Sequence, residues 1–257
     1  MVDISTTITP QPLVTVAQRH PLWVRIAHLL VTISFLALLF SGYEILMVHP
    51  RLYWGNAGND LTPALFELPV SRNYKHNGWQ PKESFNRSTS NAVSASRTYE
   101  IFNQNGWGRS LHFLTGWMLV VTGLFYLLAG FFTGHFRQQL WPSRAERKPA
   151  LLTKDFLSHF TRLPLTGSNE NYGLLQKYTY LAVIFLLFPL VIMTGFTMSP
   201  AITAAYPFLL SLFGGAQSAR TLHFFAALAL VIFLIIHITM VLRSGWKEKI
   251  PAITLGK

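Results

Sequence analysis

Four long stretches without a charged side chain constrain the fold of this chain more than any other feature. No Asp, Glu, Lys or Arg occurs in residues 26–43, 110–134, 178–219 and 221–242. Only 12% of the residues in the chain are charged, whereas a soluble domain carries about 25%. Much of the chain is therefore expected to lie away from water.

A helix needs about 20 mostly apolar residues to cross the hydrocarbon core of a bilayer. With their flanking residues, the charge-free stretches predict four such spans, at residues 22–48, 110–133, 176–198 and 219–242. The predicted fold is therefore all-α, with residues 1–257 forming one integral membrane domain built as a four-transmembrane-helix bundle.

The formal net charge of +11 is interpreted as membrane topology, because Lys and Arg lie outside the apolar stretches and near their ends. We therefore predict contact with membrane lipid and no nucleic-acid partner. With four spans, the two termini and the 134–175 loop share one side, which has twelve basic residues against seven in the opposite 49–109 loop. These numbers predict a multi-pass protein of the cytoplasmic (inner) membrane with both termini in the cytoplasm.

The loops between the spans carry weaker signals. The 49–109 loop is rich in polar and aromatic residues and has no helical period, so it is either a disordered surface loop or a docking surface for an extracytoplasmic partner. The apolar face of Leu151–Phe160 predicts a short interfacial helix. Residues 199–218 are expected to contain another short helix near the outer surface.

Four of the nine histidines lie inside the predicted spans, where ionisable residues are rare and usually functional. His223 and His237 are 14 residues apart on the last span, which places them on similar faces about 21 Å apart along the axis. His28 lies at the depth of His237, near the cytoplasmic side, and His112 lies at the depth of His223. Each pair can supply two axial imidazoles to one haem iron.

Two non-covalent b-type haems are the predicted cofactors, and their irons are the predicted metals. The chain has no cysteine, which excludes cysteine-ligated iron–sulfur clusters and the C-x-x-C-H attachment of c-type haem. No catalytic residue is predicted. His20, at an interface, is the first substitute ligand if His28 is misassigned.

An arginine precedes three of the proposed ligands by three residues. Residues i and i+3 share a helix face, so Arg25, Arg109 and Arg220 are predicted to pair with haem propionates. The alternative is that each arginine marks a helix end, where a long side chain reaches the polar interface.

Small residues follow His112 on its own helix face. Gly116 and Gly123 come 4 and 11 residues after it, so they are expected to give a flat macrocycle room to lie close to the backbone. Close packing between helices is the alternative role for such glycines.

With these residues in view, the chain resembles the cytochrome b subunits of nickel–iron hydrogenases, formate dehydrogenases and thiosulfate reductases. The matching pieces are Arg25–His28, Arg109–His112, the pair His223 and His237, and Asn171–Lys177. The long 49–109 loop departs from the compact family pattern. The resemblance implies a quinone substrate bound near the cytoplasmic haem, and an extracytoplasmic redox partner subunit such as a molybdopterin enzyme or a hydrogenase.

The quinone site is predicted at the entry to the third span, which has no haem ligand of its own. Its candidate residues are Asn171, Tyr172, Gln176 and Lys177. They are equally compatible with an ordinary interfacial anchor. An outer site involving Gln217, Ser218 or Glu44 also stays open.

The predicted function is electron transfer between the quinone pool and the extracytoplasmic partner. A proton-coupled transporter could also use histidines in the membrane, but it should show internal repeats and broken helices. A purely structural membrane anchor would not need histidine pairs that match in depth.

Overall fold

A computed structural model describes residues 20–59, 62–70, 105–144, 146–148, 150–153, 155, 157, 173–243 and 245–255. Within this part of the chain, four helices are long and apolar enough to cross a membrane. They are Leu22–Val48, Asn105–Phe132, Leu174–Thr197 and Ala216–Arg243, and are called the first to fourth spans below. The predicted all-α membrane bundle is confirmed.

The helices extend beyond the predicted limits at several ends. The second span begins at Asn105 rather than 110, the third at Leu174 rather than 176, and the fourth at Ala216 rather than 219. The predicted 49–109 and 134–175 loops are correspondingly shorter. The predicted second span begins directly after Arg109, but the helical backbone continues through this arginine because its long side chain can reach polar surroundings near the interface.

The four spans associate as two pairs. The first span packs along the second, and the third packs along the fourth. A buried apolar cluster between the third and fourth spans contains Val183, Val191, Ala226 and Leu230. Among the described residues, close backbone approaches between the two pairs are fewer than those within each pair. The two pairs are therefore held further apart from each other than the helices within each pair.

Large apolar side chains are exposed on every span, for example Ile33, Val121, Leu186 and Ile235. On a water-soluble protein such surfaces would drive association. On helices of this length they suit contact with lipid chains.

The third span contains one wide turn. Residues Val183–Leu187 are wound more loosely than the α-helix on either side, and Pro189 follows directly. Proline cannot donate a backbone hydrogen bond and its ring crowds the carbonyl four residues earlier, so a wide turn at this place relieves the clash. The span continues to Thr197 as one helix.

The first part of the long loop folds onto the start of the fourth span. Strand β1 (Arg51–Leu52) pairs antiparallel with β2 (Phe66–Glu67). The carbonyl of Gly55 accepts hydrogen bonds from the backbone N–H groups of Gln217 (2.9 Å) and Ser218 (3.2 Å). These donors have no partner inside their own helix. The disordered-loop interpretation is therefore wrong for residues 49–59 and 62–70, whereas residues 71–104 lie outside the described part.

Short helices complete the described structure. Pro200–Ala205 and Phe208–Leu212 confirm the short helix expected in residues 199–218. The described residues between 150 and 157 are also helical, although most of the predicted apolar face of Leu151–Phe160 lies outside the description. A last helix, Trp246–Thr254, contacts the first span.

Candidate functional site

The fold brings the four membrane histidines together as two pairs. The ring centres of His112 and His223 are 6.1 Å apart, and those of His28 and His237 are 6.4 Å apart. These are the pairs expected from depth. We call the first the loop-side pair, because it lies near the 49–70 loop, and the second the terminus-side pair, because it lies near residues 20 and 255.

Both histidine pairs bridge the two helix pairs. The fourth span contributes one ring to each, and the first and second spans contribute the partners. A metal held by two imidazoles at about 2.1 Å from each nitrogen places the ring centres roughly 6 Å apart. The two ring separations therefore fit one metal atom between each pair.

Among the residues that the structure describes, each of these places has two histidine ligands and no third His, Cys, Asp or Glu ligand. Within the described residues, no group of three or more His, Cys, Asp or Glu side chains could hold a metal ion. A structural zinc site needs four protein ligands. A haem iron needs only axial ligands from the protein, so the residues present fit haem better than a bare ion.

The two predicted glycines leave space at different depths, because Gly116 lies about 6 Å from His112 along the helix and Gly123 about 17 Å, near the depth of the terminus-side pair. A Cβ atom added to Gly116 or Gly123 would meet no neighbouring atom within 4 Å. At Gly130, two turns beyond Gly123, an added Cβ would strike the ring of Phe136. Gly116 and Gly123 thus leave room for a flat group, whereas Gly130 serves helix packing.

The three arginines with the same spacing have different surroundings. Arg220 is partly buried and donates to the backbone carbonyl of His49, in a small pocket that also contains Arg51. Arg25 donates to the carbonyl of Thr254 at 2.5 Å. Arg109 is exposed. A shared spacing therefore does not give the three side chains a shared environment.

Two of the four predicted quinone residues lie in the described part, beside the terminus-side pair. The amide of Gln176 donates to the hydroxyl of Tyr180 at 2.7 Å, and the Tyr180 ring centre is 6.3 Å from that of His237. Lys177 is buried and forms an ion pair with Glu146 at 2.9 Å. Asn171 and Tyr172 lie outside the described residues.

Histidines elsewhere are arranged differently. The His135 ring packs against Trp23 with centres 5.2 Å apart. His20 is partly buried, and that burial lowers its pKa. His49 lines the pocket of Arg220. His76 and His159 lie outside the described residues.

Sequence reasoning missed three hydroxyl side chains that contact the histidines. Ser41 and Thr194 each lie within hydrogen-bond distance of a loop-side ring nitrogen, and Tyr180 adjoins His237. The only signal in the sequence is a hydroxyl residue followed by glycine, at Ser41-Gly42 and Thr194-Gly195. Gly42 adjoins His112 and not His28, the histidine of its own span.

The Glu146–Lys177 ion pair gives a prediction for stability. Burial alone would raise the pKa of Glu146, but hydrogen bonds from Lys177 and Ser143 outweigh it and lower the pKa from 4.5 to about 2. The stabilisation should therefore be complete above pH 4.5 and lost as the pH falls towards 2. Glu146→Gln should destabilise the protein at pH 7 by about 1–2 kcal/mol, because Glu146 is only partly screened by water while Lys177 stays buried.

Thermal denaturation in detergent measures this effect. The difference between the variant and the unaltered protein should shrink as the pH is lowered from 5 towards 2. Equal denaturation midpoints at pH 7 would show that the ion pair contributes nothing to stability.

Comparison with known families agrees with this geometry. The model of the family described as prokaryotic cytochrome b561 matches residues 19–256, which include all four spans and both histidine pairs. The chain belongs to the prokaryotic cytochrome b561 family. The predicted resemblance to cytochrome b subunits is thereby confirmed.

One relative of this cytochrome b561 is the putative protein-methionine-sulfoxide reductase subunit YedZ1 of Azospira oryzae. It is 26% identical over 225 residues, which cover 86% of this chain and 89% of the relative. No solved structure matches the chain. As a cytochrome b561, the chain is a multi-pass membrane protein that binds haem b and takes part in membrane electron transfer.

Proposed function

We propose that this cytochrome b561 holds two haems b, one between each histidine pair, and transfers electrons between the quinone pool and an extracytoplasmic redox subunit. The observation that carries the proposal is the pair of ring separations, 6.1 and 6.4 Å, at two depths of one bundle. A single haem would use only one pair and leave the other without a purpose.

The proposed axial ligands are His112 with His223 and His28 with His237. Haem bound at these places supplies an iron that accepts and releases one electron at a time. The protein's own part is to hold two such groups at two depths, about 21 Å apart along the fourth span. Gly116 would give room to the loop-side group and Gly123 to the terminus-side group, and Arg220 is proposed to pair with a loop-side propionate.

The proposed location is the cytoplasmic (inner) membrane with both termini in the cytoplasm. The basic residues support this orientation, since they concentrate on the side of the termini. The loop-side pair then lies near the extracytoplasmic surface and the terminus-side pair near the cytoplasm.

The proposed partner is a redox subunit that docks on the extracytoplasmic side, of the molybdopterin or hydrogenase type. The similarity to a relative named as a reductase subunit supports a partner of this general kind. The 49–70 segment supports the docking side, because its hairpin lies beside the loop-side pair and exposes Trp54 and Phe66.

The proposed quinone site is at the entry to the third span, beside the terminus-side pair. Gln176 and Tyr180 form a hydrogen-bonded pair that reaches His237, and both side chains can bind a quinone oxygen or move a proton. Lys177 is committed to Glu146, so its contribution would be positive charge rather than direct contact. Asn171 and Tyr172 remain candidates for the same site.

Haem content and spectrum test the proposed function directly. The purified protein should contain two non-covalent haems per chain and show sharp reduced-minus-oxidised absorption bands. A pyridine haemochrome assay that finds one haem, or none, would contradict the proposal. A transporter or a structural anchor would give no such bands.

Quinol reactivity tests the proposed site. Gln176→Leu should slow haem reduction by a quinol analogue about two- to tenfold, the effect of one lost hydrogen bond, while reduction by dithionite and the haem spectra stay unchanged. The rate of haem reduction in Lys177→Met is compared with that in Glu146→Gln, which breaks the same ion pair without removing the lysine. Normal rates in Gln176→Leu, with slow rates in Gln217→Leu or Glu44→Gln, would move the site to the loop side.

A further inference from the structure

Two dipeptides of the same kind contact the loop-side histidines. Ser41-Gly42 on the first span adjoins His112 of the second, and Thr194-Gly195 on the third span adjoins His223 of the fourth. The Ser41 Oγ–His112 Nδ1 distance is 3.0 Å, and the Thr194 Oγ1–His223 Nδ1 distance is 3.1 Å. Each ring thus has the same contacts, supplied by the neighbouring helix of its own pair.

Each hydroxyl group has a backbone carbonyl as acceptor for its own proton, so it is free to accept a hydrogen bond from the ring. Ser41 donates its single proton to the carbonyl of Ala37 at 2.7 Å, and Thr194 donates to that of Leu190 at 2.7 Å. A hydroxyl has one proton and two lone pairs. A ring that donates the Nδ1–H···O bond to this hydroxyl keeps a free lone pair on Nε2 for a metal.

The glycines set the position of the same rings. A Cβ atom on Gly42 would lie 3.4 Å from His112 Cε1, and one on Gly195 would lie 3.4 Å from His223 Cε1. Any larger side chain would push the imidazole away from its hydroxyl partner. Ser41 and Thr194 are themselves fully buried, so water does not compete for their hydrogen bonds.

We propose that Ser41-Gly42 and Thr194-Gly195 position both ligands of the loop-side haem. The two dipeptides fix the plane of each ring and keep the ring proton on Nδ1. This inference rests on the proposed function. Within the described residues, the rings of His28 and His237 have no hydroxyl partner of this kind, so the two dipeptides distinguish the loop-side site from the terminus-side site. An Nδ1–H bond increases the basicity of a ligating histidine. It therefore stabilises the oxidised iron and lowers the midpoint potential of the loop-side haem.

The experiment removes each hydroxyl from the full-length, haem-loaded protein. Ser41→Ala and Thr194→Val should each raise the midpoint potential of the loop-side haem, shifting its reduction equilibrium about two- to tenfold, the effect of one hydrogen bond. The double variant should shift it further. The low-spin electron paramagnetic resonance signal of this haem should also move, because it depends on the angle between the two ring planes. The terminus-side haem should keep its potential and its signal.

Conservative and matched control variants separate positioning from packing. Ser41→Thr and Thr194→Ser keep a hydroxyl and should retain the potential of the unaltered protein. Thr197→Val removes a buried hydroxyl one turn further along the third span, which bonds the carbonyl of Met193 at 2.9 Å. Thr197→Val should change neither the midpoint potential nor the resonance signal of either haem.

The inference is overturned if Ser41→Ala and Thr194→Val match Thr197→Val in potential and in resonance signal. It is also overturned if the midpoint potentials of both haems shift equally, since the two dipeptides contact only the loop-side pair. A lack of haem in the unaltered protein would instead overturn the proposed function.

Discussion

Replacing His112 or His223 by alanine is expected to lower the haem content of the purified protein from two to one per chain. The two rings are 6.1 Å apart and come from different helix pairs, so the loss of either leaves the iron with one axial ligand and an open face. The haem that remains should be the one between His28 and His237. Redox titration should then show a single component in place of two.

The reciprocal variants complete the test of pairing. His28→Ala and His237→Ala should remove the other redox component, with the loop-side haem retained. His135→Ala is the matched control, because this histidine packs against Trp23 outside both pairs and its loss should leave two haems. The pairing would be wrong if His28→Ala and His112→Ala removed the same component. Loss of a haem in His20→Ala would make His20 a ligand.

Arg220→Gln is expected to lower the midpoint potential of the loop-side haem by about 70 mV. A positive charge favours the reduced iron, which is the less positive state, so removal of the charge disfavours reduction. A charge about 10 Å from the iron, at an effective dielectric constant of about 20, contributes about 1.7 kcal/mol. For a one-electron couple that energy corresponds to a change of about 15- to 20-fold in the reduction equilibrium. Potentiometric titration measures the shift.

Arg109 provides the matched control for this charge effect. It precedes His112 by the same three residues by which Arg220 precedes His223, but it is exposed, so water and salt screen its charge. Arg109→Gln should therefore shift the same haem much less, and Arg25→Gln should act on the terminus-side haem. Equal potentials in all three variants would favour the alternative in which the arginines only mark helix ends.

The sequence was sufficient to predict the spans and the grouping of the four histidines. Both depend on local patterns. The length of a charge-free stretch determines whether it can cross the membrane, and the position of a residue along a span determines its depth in the bilayer. His223 and His237 lie on one helix, so their separation follows from the helical rise alone. The first span, Leu22–Val48, matches its predicted limits because apolar residues extend close to both ends.

Contacts between elements could not be predicted in the same way. Whether Ser41 meets His112 depends on how the first span is rotated against the second, which no local pattern records. The Gly55 carbonyl that accepts from the start of the fourth span is a backbone atom, and any residue would supply it. The sequence predicts Lys177 as a quinone-site residue, but its ion-pair partner Glu146 is 31 residues away in a loop that carries no periodic signal.

The fourth span contributes one ring to each histidine pair, and this has a consequence for the biogenesis of the protein. During synthesis the first three spans leave the ribosome earlier, yet they carry only His28 and His112, which belong to different pairs. Neither proposed haem site can be completed until the fourth span has been inserted. Loading of the proposed haems is therefore expected only after the fourth span has been made, and a chain that ends before this span should not retain haem between two histidines.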